Sequence, residues 1–196
     1  QRPKDLPPGP VAGFYGSLSS WIDQELVYHA AKELKHWAFV FIGPVCCDVS
    51  RLQSLENVHF LGEKPHEELP EYAKYWQVSL LPFKDNGQIR ACNPLKLREY
   101  MAMGTAIVST DFPAAKAYED WLIFSDHNNF AKDIELAAAE LDYNDFSTIK
   151  NITSWQQVTN IAARPLQRSE QVCGETWRAR AMLIEDYIDE AKSHSE

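Results

Sequence analysis

The stretch from Arg90 to Tyr100, Arg-Ala-Cys-Asn-Pro-Leu-Lys-Leu-Arg-Glu-Tyr, gathers residue types that hold an anion and a pair of neighbouring hydroxyls. Asn93 is a good N-cap, Pro94 suits the first position of a helix, and Gly104 suits its end. The free N–H groups and positive dipole of such a helix start attract an anion. Lys96 and Glu99 are three apart and share a face, while Leu97, Tyr100 and Met101 form a neighbouring apolar face. A cation in the first turn opposes the dipole, a cost that makes sense when an anion arrives from outside. Lys96 and Arg90 are then suited to a diphosphate. Glu99, one turn further on, has two acceptor oxygens for the hydroxyls of a ribose. The plain alternative is a surface ion pair between Lys96 and Glu99, worth a few tenths of a kcal/mol.

The elements that must position these residues alternate. Short apolar runs read as buried strands at Val11 to Tyr15, Ala38 to Ile42, Val58 to Leu61, Val78 to Pro82, Ala106 to Thr110 and Leu122 to Phe124. Helical spacing appears over Ile22 to Trp37, Glu67 to Tyr75, Pro94 to Met103 and Asn128 to Leu141, and a long amphipathic helix over Glu175 to Lys192. Continuously apolar strands separated by helices indicate a parallel sheet covered on both faces. The expected architecture is α/β: a Rossmann-like open parallel sheet of about six strands, with a C-terminal helical extension. Ligands of such sheets bind at the carboxyl ends of the strands, which singles out the loops Gly16 to Trp21, Gly43 to Cys47, Gly62 to Pro65, Phe83 to Asn93 and Ser109 to Pro113.

Composition narrows the function. The 196 residues carry a net charge of −9, which disfavours nucleic acid as a partner but not one small anion held by local cations. There is no G-x-x-x-x-G-K-[ST], so a P-loop enzyme is excluded. Gly13 and Gly16 lack the G-x-G-x-x-G spacing of a dinucleotide site, and the acidic pair of a phosphoacceptor receiver domain is missing after the first strand. The four cysteines, Cys46, Cys47, Cys92 and Cys173, show no C-x-x-C spacing and read as buried or half-buried thiols of a reducing compartment. The six histidines are scattered, with no H-x-x-x-H pair, so no metal site is expected. No apolar run reaches the roughly 18 residues of a membrane span, and no signal peptide is evident. Residues 1–10, with four prolines, read as a linker without helix or strand, from a preceding domain; residues 11–196 read as the binding domain.

Asn93-Pro-Leu-Lys-Leu-Arg-Glu-Tyr-Met-Ala-Met-Gly-Thr-Ala-Ile-Val-Ser-Thr-Asp111 resembles the donor-site segment of the GT-B glycosyltransferases of the large retaining group, family-4-like or "glycosyl transferases group 1". The surroundings agree in order. Val11-Ala-Gly-Phe-Tyr-Gly-Ser-Leu resembles the first strand and glycine loop, Phe39-Val-Phe-Ile-Gly-Pro the second strand, and Asn57-Val-His-Phe-Leu-Gly-Glu-Lys-Pro the strand and loop beside the base. Trp177 resembles an aromatic residue of the terminal helix. The resemblance implies a nucleoside-diphosphate-sugar as substrate and no metal. Glu99 would bind the ribose; Lys96, Arg90, Asn93 and the backbone at Pro94 and Leu95 would hold the diphosphate; Gly62, Glu63 and Lys64 would contact the base; Gly16 and Ser17 would let backbone approach the phosphates. It also implies an acceptor-binding N-terminal domain, and a cytoplasmic parent that works beside a membrane's inner face.

Two positions depart from the family pattern. Ala91 stands where a glutamate is frequent, eight positions before the ribose-binding residue, and Ser19, Ser20 and Trp21 follow the first glycine loop in place of a cation. They favour a second reading, a non-catalytic nucleotide-binding module that partners a separate acceptor-binding protein. Asp85, Asn86 and Gln88 lie where sugar hydroxyls could reach them or simply form a polar loop. Trp21 and Asp23 suit either a cleft wall or an exposed loop, His66, Glu67 and Glu68 read as helix-start residues, and the stripe Trp177, Ala181, Ile184 and Ile188 reads as packing.

Overall fold

The computed structural model describes residues 1–139, 167–173 and 175. Six strands form one sheet: β1 (Val11–Tyr15), β2 (Ala38–Ile42), β3 (Val58–Phe60), β4 (Val78–Leu81), β5 (Ala106–Ser109) and β6 (Ile123–Phe124). Every pairing is parallel, and the order across the sheet is β3-β2-β1-β4-β5-β6. The order reverses between β1 and β4. Connections leave those two neighbours in opposite directions, so a crevice opens at their carboxyl ends.

The α-helices of residues 1–139 are α1 (Gln24–Glu33), α2 (Ser50–Gln53), α3 (Leu69–Ala73), α4 (Gly87–Arg90), α5 (Leu95–Ala102) and α6 (Phe130–Ala139). Helix α1 packs on α6, α6 on β4 and β5, and α5 on β5. The strands are buried from end to end in β1, β2, β4 and β5, which accounts for their largely apolar sequences; the two serines, Ser79 and Ser109, are themselves buried. Alternation along β1 sends Gly13 and Tyr15 to the face occupied by Trp76 and Tyr100, and Phe14 to the face of Phe41 and Phe83. Gly13 leaves room for the Trp76 indole, which a Cβ there would meet at 2.1 Å.

Helix boundaries follow caps that lie off the hydrophobic repeat. Asp23 accepts from the Leu26 N–H at 3.1 Å, so α1 starts two residues after Ile22. Its last turn is closed by a residue from the far side of a loop. The Asn57 side-chain NH2 donates to the carbonyls of Ala31, Leu34 and Trp37 at 3.0, 3.1 and 3.0 Å. The helix expected over Glu67 to Tyr75 is a 3-10 turn at His66–Glu68 followed by α3, because Pro70 lacks an N–H and fits only a new first turn. The short α2 and α4 and the 3-10 stretch Pro113–Trp121 fall below the length at which a repeat is visible. Residue 140 onward, the expected helix over Glu175 to Lys192, and Trp177 with its stripe lie outside the described residues, apart from a helix over 167–173 and Glu175.

Residues 1–10 contain no strand or helix, but they are anchored. Leu6 is 5% exposed, and the Asp5 carboxylate accepts from Lys64 at 2.6 Å and from the Tyr72 hydroxyl at 2.9 Å. The cysteine expectation needs a correction: Cys47 and Cys92 are half-buried, but Cys46 and Cys173 are exposed, and all four are unpaired. Cys46 stands in the loop after β2, where the chain has left the sheet.

Two outcomes test this architecture. Gly43 has φ +138°, and a Cβ there would lie 2.3 Å from the Gly16 carbonyl oxygen, which is backbone and cannot swing aside. Gly43→Ala is therefore expected to cost about 2 kcal/mol or more in chemical denaturation. The Lys64 hydrogen bond holds the Asp5 carboxyl below its ordinary range. A depressed carboxyl stabilises above its unfolded pKa, and the contribution is lost as pH falls through the folded value. The anchor is exposed enough that its worth is at most about 1 kcal/mol. Asp5→Asn, or acidification below the usual carboxylate range, should speed proteolysis near Arg2 and Lys4 while hardly moving the thermal midpoint.

Candidate functional site

The crevice between β1 and β4 is built from backbone first. β1 ends in Gly16 at φ +129°, a conformation that L side chains rarely adopt. The Gly16 N–H donates to the Ile42 carbonyl at 2.7 Å, and the Gly43 N–H to the Gly62 carbonyl at 2.8 Å. The ends of β1, β2 and β3 are thus tied into one half-buried rim. Ser17 continues that rim, its Oγ 3.4 Å from Cys46 Sγ.

Helix α5 brings the side chains. A Cβ on Gly16 would lie 2.0 Å from Lys96 Cε and 2.7 Å from Nζ, so the lysine crosses the space that only glycine leaves open. Lys96 Nζ also stands 5.9 Å from the Phe14 ring centroid. Among the described residues no carboxylate pairs with it, and in particular Glu99 does not, which removes the surface-pair alternative. The first N–H groups of an α-helix have no partner within it, so Lys96 and the start of α5 present positive charge together.

Below this, α5 is locked to β1. The Tyr15 N–H donates to the Tyr100 hydroxyl at 3.1 Å in a buried bond, and the two rings meet edge to face with centroids 4.9 Å apart. Burial pushes both phenols far above their ordinary values; the Tyr15 phenol is raised further by Tyr100 and by the Glu99 carboxylate beside it. Both hydroxyls stay neutral and serve as hydrogen-bonding groups. Glu99 is half-buried, its side chain 22% exposed, and its Oε1 lies 3.1 Å from His66 Nε2. Tyr15, His66 and Glu99 edge a cleft of about 200 Å³.

The other expected site residues are placed as follows. Asn93 does not cap α5. Pro94 is the cap, with extended ψ of 125°, and the Asn93 amide oxygen accepts from Arg98 Nη1 at 2.6 Å. Arg98 in turn pairs with Glu175, so the loop before α5 is braced toward the C-terminal segment. Leu95 is 58% exposed at the mouth of the crevice and Pro94 is buried. Arg90 is 64% exposed and forms a two-pronged pair with Asp85 at 2.6 and 2.7 Å, which holds the Asp85 carboxyl below its usual range. Asn86 caps α4, accepting from the Ile89 N–H at 2.9 Å. Lys64 is engaged by Asp5, Gly62 turns at φ +71° with open space around it, and Glu63 is exposed. Asp23 holds His127 Nε2 at 2.9 Å as well as capping α1. Sequence reasoning assigned no site role to Tyr15, Tyr100 or His66. A strand-end tyrosine and a helix tyrosine read as core, and a histidine before two glutamates read as a helix start. Among the described residues no group of three His, Cys, Asp or Glu side chains converges to hold a metal ion.

A crevice at the sheet's switch point, with an unpaired lysine laid over a strand-end glycine, fits the pattern to which residues 9–140 also conform: they match the family model described as glycosyl transferases group 1. The chain belongs to that family. It is 33% identical over 110 residues to the putative teichuronic acid biosynthesis glycosyltransferase TuaH of Bacillus subtilis, a stretch covering 54% of this chain and 28% of TuaH. Its fold is that of GT-B glycosyltransferases. Sucrose-phosphate synthase from Thermosynechococcus elongatus superposes with a TM-score of 0.66 at 17% identity, covering 97% of this chain and 47% of that one. Anabaena Alr3699/HepE in complex with UDP gives 0.63 at 13%, covering 95% and 49%. TarM of S. aureus, a mutant in complex with UDP among other ligands, gives 0.63 at 14%, covering 96% and 36%. This group 1 chain spans less than half the length of each of these relatives.

The buried tyrosine link carries a prediction about stability. Tyr100→Phe keeps the ring and removes the acceptor of the Tyr15 N–H, leaving a buried donor unpaired. The expected cost is about 1–3 kcal/mol in chemical denaturation.

Proposed function

We propose that this chain is the donor-binding domain of a glycosyltransferase, taking a nucleoside-diphosphate-sugar, with UDP as the nucleotide carried. Supporting the reading most directly is the Lys96 ammonium, unpaired by carboxylate and laid across Gly16 beside the start of α5. The diphosphate lies against Lys96, the first N–H groups of α5 and the backbone at Gly16 and Ser17. The ribose hydroxyls donate to Glu99, one helical turn on. The base lies toward the Gly62–Lys64 rim. Arg90 reaches the diphosphate only by leaving Asp85. The protein's own cations take the place of a metal, stabilising the charge that develops on the diphosphate as the bond to the sugar breaks. The choice of UDP is supported by the UDP complexes of HepE and TarM. The acceptor is held by a second domain, and transfer proceeds with retention, as the family resemblance implies. No helix of the described residues is long and apolar enough to cross a membrane; the whole protein meets its acceptor at the inner membrane face.

One observation favours a second reading. Ala91 occupies the glutamate position at the exposed end of α4 and offers no carboxylate to a sugar. A non-catalytic module would bind nucleotide at the same site without transferring sugar.

Calorimetric titration of the chain with UDP, GDP and ADP, without added metal, tests the site. UDP should bind in preference, and Lys96→Ala and Glu99→Ala should each weaken it by about tenfold or more. Absence of binding, or binding that neither substitution changes, contradicts the proposal. Turnover of the full-length parent with UDP-sugars separates the enzyme from the non-catalytic module.

A further inference from the structure

Glu99 is not a bare carboxylate on a helix surface. It is gripped from two other elements, the end of β1 and the turn after β3. The Tyr15 hydroxyl stands beside it, and His66 Nε2 meets its Oε1 at 3.1 Å. A ring nitrogen that bonds a carboxylate does so as N–H, so His66 is the donor in this pair. The histidine side chain is 79% exposed. An ion pair or hydrogen bond that open to water contributes little to folding, so its loss leaves the fold intact. Its geometric effect is on Glu99, whose Oε1 it meets from another element. A carboxylate has about four lone-pair positions, and His66 takes one of them. Tyr15, His66 and Glu99 line one cleft.

We propose that His66 is a positioning residue: it orients Glu99 and thereby sets the preference for ribose over 2′-deoxyribose in the bound nucleotide. The inference rests on the reading of Glu99 as the ribose acceptor. A free glutamate loses rotamer freedom when it engages two hydroxyls, and a glutamate already held by His66 does not. The gain applies only to a ligand whose hydroxyls Glu99 receives. A deoxynucleotide offers one hydroxyl fewer and gains less.

The test is calorimetric titration of the chain with UDP and 2′-deoxy-UDP, comparing the native protein with His66→Ala, His66→Gln and Glu99→Ala. Thermal midpoints establish that each variant is folded. The expected result is that His66→Ala lowers UDP affinity by about twofold to fivefold, the most that an exposed pair can carry, and lowers 2′-deoxy-UDP affinity less. His66→Gln, whose side-chain NH2 can donate to the carboxylate, restores most of the preference. A merely structural His66 would weaken both nucleotides alike. That result, an unchanged ratio, or tighter UDP binding by His66→Ala overturns the positioning role. If Glu99→Ala collapses the ratio while His66→Ala preserves it, the ribose reading stands and only His66 is misassigned. If Glu99→Ala also leaves the ratio intact, the ribose reading itself is overturned, and the inference with it.

Discussion

At the end of β1 the backbone turns through Gly16, and the Lys96 side chain passes through the volume a Cβ would need. The bond from the Tyr15 N–H to the Tyr100 hydroxyl fixes how near α5 can come. Those two contacts bring one helix against one strand end closely enough to set an ammonium over the Gly16 backbone. Around them the rest of the carboxyl edge is arranged. Gly43 must also lack a side chain, because its own Cβ would press on the Gly16 carbonyl. The bracing of Asn93 by Arg98 and of Arg98 by Glu175 holds the loop before α5 from the other side.

Electrostatics divides the cations into those that are spent and those that remain. The chain is acidic overall, at −9, and several basic side chains near the carboxyl edge are already paired. Arg90 lies with Asp85, Lys64 with Asp5, and Arg98 with Glu175. Among the described residues no carboxylate pairs with Lys96, which stands where a helix start adds positive potential of its own. A small anion that reaches this strand end meets an ammonium and a helix start together.

The sheet was legible from the amino-acid sequence because its central strands are buried on both faces and appear as largely apolar runs, the first three closed by glycine. Val11–Tyr15 and Ala38–Ile42 have the bounds the runs indicate, and the others are each shorter by one residue. Lys96 and Glu99 were legible because a lysine in a helix's first turn opposes the dipole. What could not be read depends on partners remote in the chain. Asn57 closes a helix that ends 24 positions earlier, Asn93 gives up its expected cap to Arg98, and Glu99 finds His66 across 33 residues. Hydrophobic periodicity carries no trace of such bonds. The exposure of Cys46, in a loop, and of Cys173, in a helix, has a related reason: a thiol's burial is decided by where its segment packs, not by its residue type.

The central claim is spatial: a nucleoside diphosphate lies between the Gly16 backbone and the start of α5. Amide NMR of the isotope-labelled chain, titrated with UDP without metal, addresses it directly. The account predicts that the largest shifts fall on Gly16, Ser17, Leu95 and Lys96, with smaller ones around Glu99. Saturable shifts centred elsewhere, or none at these amides in the folded protein, would contradict it.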